Sequence, residues 1–156
     1  MLFRLSLLGC IVLVVGLTGC SSEPEKVVVH PVSGRILYGG SPAVGVQVYL
    51  LPTSAPMVPQ IPQNPRGKTG PDGSFTLTTY TEGDGAAEGG YQVILLWPAE
   101  NKDDEEDMTD RLLGWYDAVH SQLTVNIKAG NNVLPTFKLP IVTRPPEASQ
   151  GVPGRN

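Results

Sequence analysis

The chain has 156 residues, with 11 Lys and Arg against 15 Asp and Glu, two His, two Cys and a net charge of −4. A mildly acidic chain without a basic cluster lacks the electrostatic footprint of a nucleic-acid binder. With cysteines only at positions 10 and 20, no disulfide framework is expected, so a folded domain here depends on its core.

Met1–Arg4 is a short basic start, and Leu5–Leu17 is a 13-residue run without a charge. That order reads as a secretory signal. The run is too short to cross a hydrocarbon layer, which takes roughly 20 residues. Leu17-Thr18-Gly19-Cys20 closes it and resembles the bacterial lipobox, in which the cysteine is lipidated and becomes the new N-terminus. A second match, Leu7-Leu8-Gly9-Cys10, leaves too short an apolar run before it, so Cys10 reads as part of the leader. The resemblance implies a signal peptide over 1–19, lipidation at Cys20, and an exported protein whose membrane partner is the lipid bilayer. Ser21, rather than Asp, follows the cysteine; by resemblance to known sorting signals this favours the outer membrane. Residues 20–26 form the lipidated end and a polar tether, whose six residues Ser21–Lys26 reach at most ~20 Å. A single domain is expected over 27–139, and the Pro-rich stretch 140–156 reads as a disordered tail.

Within the domain, apolar residues recur with period two, the strand signature. Val32–Tyr38 is the first strand, and the turn Tyr38-Gly39-Gly40-Ser41 joins it to Val44–Leu51, where Val44, Val46, Val48 and Leu50 share one face. Pro71-Asp72-Gly73 precedes the alternating Phe75, Leu77 and Thr79. Tyr91, Val93, Leu95 and Trp97 alternate with Gln92, Ile94 and Leu96, and the apolar character of both faces predicts a central strand. Leu123, Val125 and Ile127 form another, linked by Gly130-Asn131-Asn132 to Val133–Leu139, which Pro135 marks as an edge or a bulge. The 18 Gly and 15 Pro are spaced as turns between strands rather than as a low-complexity block. The prediction is an all-β, antiparallel sandwich of about seven strands.

Val32–Val48, with its Tyr38-Gly39-Gly40-Ser41-Pro42 turn, resembles the opening of a carboxypeptidase regulatory-like domain. Gly67–Phe75 is similar to that family's Thr-Asp-x-x-Gly-x-Phe turn, and Gly89-Gly90-Tyr91-Gln92-Val93 to its Gly-x-Tyr-x-Val signature. The resemblance implies a transthyretin-like, Ig-like sandwich, a fold and not an activity. Gly70 stands where the family usually has Asp, so a hydrogen bond made by that side chain is missing.

No catalytic constellation emerges. His30 and His120 lack the spacing of zinc ligands. Ser121 adjoins His120 only in sequence, and there is no Gly-x-Ser-x-Gly elbow. Gly83-Asp84-Gly85 has no helix to follow and is not a phosphate loop. The acidic segment 100–110 holds seven carboxylates. Oxygen clusters suit Ca²⁺, but the EF-hand spacing fails, and the segment reads first as a solvated insert, with weak Ca²⁺ binding as the alternative. Leu112-Leu113-Gly114-Trp115-Tyr116 and the Pro-rich loop Pro52–Pro65 either pack on the sandwich or present a surface to a partner. The function expected is a membrane-anchored, non-catalytic module that binds or scaffolds an envelope protein or glycan, without metal or cofactor. The alternative is a purely structural envelope protein.

Overall fold

The structure, a computed structural model, describes residues 26–54, 64–99 and 109–147. Among them lie eleven strands and no helix, so the all-β expectation holds. Four strands form an antiparallel sheet. β4 (Gln47–Pro52) sits between β5 (Arg66–Lys68) and β8 (Gly89–Leu96), and β9 (Thr124–Ile127) lies outside β8. β8 is therefore central, as its two apolar faces predict. Tyr91, Val93, Leu95 and Trp97 all point into the core.

The second sheet is built on β2 (Val32–Tyr38). β6 (Ser74–Thr76) and the two-residue β3 (Ser41–Pro42) pair antiparallel with its two halves. β10 (Asn132–Val133) and β11 (Phe137–Leu139) pair with it in parallel. The backbone separates the two sides. Val32 and Ile36 bond to Leu77, Gly73 and Ala43, whereas Ser33 and Gly39 bond to Leu134 and Leu139. A small pair, β1 (Val29–His30) with β7 (Ala86–Ala87), closes the end where β2 begins. Side chains from both main sheets, among them Ile36, Phe75 and Phe137 from one and Val48, Leu50 and Leu95 from the other, meet in one core cluster. The fold is a two-layer β-sandwich.

Two pairings depart from the simple antiparallel scheme. The Gly39-Gly40 turn, with both residues at positive φ (58° and 86°), does make a hairpin, but its partner strand is only Ser41–Pro42. The chain then crosses to the other sheet, and Val44 lies outside the buried stripe at 49% exposure, while Val46, Val48 and Leu50 are fully buried. The parallel pairing has a similar origin. The chain leaves β9 in one sheet and crosses beside His30, where Gly130 N donates to His30 Nδ1 at 3.2 Å. It enters the other sheet at the end where β2 begins and must run alongside it in the same direction. Pro135 falls between β10 and β11 and splits them, at the edge that its missing N–H requires.

The chain beyond Leu139 also touches the domain. Tyr38 Oη accepts Val142 N at 3.0 Å, and Trp115 Nε1 donates to Arg144 O at 2.7 Å.

Candidate functional site

Four connections meet at the pole where β2 ends: the β2–β3 turn, the crossover into β4, the turn after β5, and the segments flanking Trp97 and Arg111. Thr69, in the turn after β5, ties that turn to the crossover. Its buried hydroxyl donates to Ala43 O at 2.6 Å and accepts Val46 N at 2.8 Å, and its backbone bonds to Val46 and Gly45. Between these connections opens a groove of about 780 Å³, with Tyr38, Pro42, Val44, Lys68, Trp97 and Arg111 among its lining residues. That volume is in the range of ligand sites, about 300–1,000 Å³.

The aromatic floor is tied down at several points. Trp97 packs edge-on against Tyr38, with centroids 5.3 Å apart at 85°, and its Nε1 donates to Val44 O at 2.9 Å. The Arg111 guanidinium lies over the Trp97 ring, 3.6 Å from its centre. Arg111 N donates to Trp97 O at 2.8 Å, so backbone and side chain hold the same partner. Lys68 stretches across the crossover, its Cε 3.8 Å from where a Cβ on Gly45 would stand. Both cations are exposed. Among the described residues neither forms an ion pair, since the two pairs present are His30–Glu88 and His120–Asp117. No carboxylate of the described residues lines the groove. Lys68 also lines an adjoining groove of about 520 Å³ that holds Arg35.

The singled-out sequence features sort differently. Cys20, residues 100–108 of the acidic segment and residues 55–63 of the Pro-rich loop lie outside the described residues. Asp110, grouped by sequence with the acidic run, belongs to the fold. Its Oδ1 accepts Trp97 N at 2.9 Å and Leu112 N at 3.0 Å, and its Oδ2 accepts Gly114 N at 3.0 Å. Leu112 is fully buried and Tyr116 packs on the core, where burial, followed by the neighbouring Tyr38, raises its phenol pKa. Trp115 remains 38% exposed.

His120 and Ser121 form no dyad. The Ser121 hydroxyl is buried and donates to Val93 O at 2.5 Å, while His120 Nδ1 lies 2.9 Å from Asp117 Oδ1. Burial works to raise the Asp117 pKa, but hydrogen bonds from His120 and Val119 outweigh it and lower the pKa. His30 Nε2 lies 3.2 Å from Glu88 Oε1, and its Nδ1 accepts Gly130 N, which places the ring proton on Nε2 in the neutral form. The Pro71-Asp72-Gly73 turn forms as its residues predict, with Gly73 at φ 79° and Gly73 N donating to Gly70 O. Gly70 offers no side chain, and Asp72 bonds to both the N and Oγ of Ser74. Those bonds, side chain first, lower its pKa.

Sequence reasoning missed the groove itself. Arg111 and Trp97 stand 14 positions apart in the sequence, and Lys68 lies on a short strand of its own; only the meeting of the four connections joins them.

No family model and no curated protein matches the chain. Among solved structures, a DUF3823 family protein from Parabacteroides merdae is similar at 18% identity and a TM-score of 0.35, over 74% of this chain and 47% of that one. The chain thus spans about half the length of that protein, and a likeness at this level assigns neither family nor function.

Proposed function

We propose that the chain is a lipid-anchored, non-catalytic binding module of the bacterial envelope, built as a carboxypeptidase regulatory-like sandwich and held to the membrane, the outer one by its Ser21, through Cys20. The observation that carries this reading is the polarity of the domain. Lys26, where the tether joins, lies over the Tyr80 ring at 5.7 Å, and Val27 N donates to Tyr80 Oη at 3.1 Å. That is the pole where β2 begins, and the groove is at the pole where it ends. Six steps along β2, from Val32 to Tyr38, carry the chain about 20 Å at roughly 3.3 Å per residue. A domain tethered at one end and grooved at the other offers its binding surface away from the bilayer.

Membrane fractionation after feeding a labelled fatty acid tests the anchor. Wild-type protein is expected to carry label and sediment with membranes, and Cys20→Ser to lose both. Labelled, membrane-bound Cys20→Ser protein would overturn the reading.

A further inference from the structure

We propose that the groove binds an extended acidic peptide, with Arg111 and Lys68 taking its carboxylates and Val44, Pro42 and Tyr38 its apolar side chains. The inference rests on the binding-module reading and adds the chemistry of the ligand.

Three features of the groove carry it. First, the sign of its charge opposes that of the molecule. A chain of net charge −4 places two exposed cations here, with no carboxylate of the described residues along the lining. Second, Arg111 is pre-positioned. Stacking on Trp97 and the bond from its own backbone to Trp97 O limit the freedom of the guanidinium, so less entropy is lost when its N–H fork meets a carboxylate. Charge-assisted bonds of that kind are about twice as strong as neutral ones. Third, the lining favours a peptide over a neutral glycan. Arg111 covers one face of Trp97 against sugar stacking, and no Asn, Gln, Asp or Glu of the described residues is present to grip hydroxyl pairs. The apolar walls instead suit side chains alternating with charge along an extended strand. Lys68 continues into the adjoining groove beside Arg35, so the cationic track is longer than one carboxylate.

Fluorescence anisotropy on the full-length, detergent-solubilised protein tests this, with a labelled hexapeptide of alternating Glu and Leu as the probe. The Glu peptide is expected to bind, its affinity falling as salt rises, and Lys68→Gln and Arg111→Gln are each expected to weaken it about tenfold. The matching Gln–Leu peptide is expected to bind at least tenfold more weakly. Acetylation footprinting gives a readout that needs no variant: bound peptide should protect Lys68 while the exposed Lys128 and Lys138 remain reactive. Equal binding of the Gln peptide, or unprotected Lys68 at saturation, would overturn the proposal. So would tighter binding of polygalacturonate or inorganic polyphosphate through the same two residues, which would assign the groove to an acidic glycan or a phosphate polymer. None of these outcomes touches the Cys20→Ser result, so failure of the ligand class and failure of the anchor are separable.

Discussion

Asp84 sits between two glycines in what reads from sequence as an unremarkable connection, and it organises the turn that follows β6. Its carboxylate accepts the backbone N–H groups of Thr79 at 2.7 Å, Tyr80 at 2.9 Å and Thr81 at 2.8 Å. Burial works to raise its pKa, but these bonds outweigh it and hold the group below its usual value of 3.8. A depressed folded-state pKa contributes stability that is complete above the unfolded value and is lost as pH falls through the folded one. Asp84→Ala leaves three N–H groups without their acceptor and is expected to cost about 1–3 kcal/mol in urea unfolding at pH 7. The penalty should shrink as pH falls below 3.8 towards the lowered folded value, through which wild type loses the same bonds; a pH-independent difference would count against this role. The signal was faint in the sequence, because an Asp that bonds backwards onto a Thr-rich stretch resembles any polar loop. The role of Asp110 is hidden for a related reason, since it closes a segment rich in acids while its hydrogen-bond partners are the backbones of Trp97, Leu112 and Gly114.

Strands that carry a strict period of two were legible as elements. β8 is legible as a central strand because apolar residues occupy both of its faces, while the structure is what turns Tyr91, Val93, Leu95 and Trp97 inward; a one-residue slip would turn all four outward. A substitution on this face tests the packing. Leu95→Ala, at a site 1% exposed, is expected to lower the unfolding free energy by about 2–5 kcal/mol. Val133→Ala, at a site 74% exposed on the short β10, should change it by less than about 0.5 kcal/mol. Equal losses in chemical denaturation would mean that the buried face has been misidentified. Partners were much less legible than strands. Nothing local in Ser41–Gly45 announces that the chain leaves β2 after a two-residue hairpin. The crossover is held by Thr69, a residue 24 positions on from Gly45. The turn chemistry of Pro71-Asp72-Gly73 was legible because its conformation is decided within a few residues.

At the scale of the molecule, no cysteine occurs among the described residues, so the sandwich is held by one apolar core and its backbone ladders. Its thermal midpoint is expected to be the same with and without a thiol reductant. A fall on reduction would reveal a covalent contribution from Cys10 or Cys20. The all-β class and the two layers followed from alternation and turn spacing. The polarity of the domain did not, because it depends on which ends of the strands collect the loops.

β2 takes its last neighbours from the far end of the chain, and Ile36 faces Phe137 about a hundred residues away. The sheet therefore stays incomplete until Asn132–Val133 and Phe137–Leu139 have arrived, since these two strands pair with that side of β2. Pairings between such distant segments close slowly, because the loop entropy is lost before the contact is gained. For a chain emerging N-terminus first, synthesis delivers β2 long before the strands that finish the fold. The domain must therefore wait with an open edge, and that interval, rather than the native state, is when it is most exposed to aggregation and proteolysis.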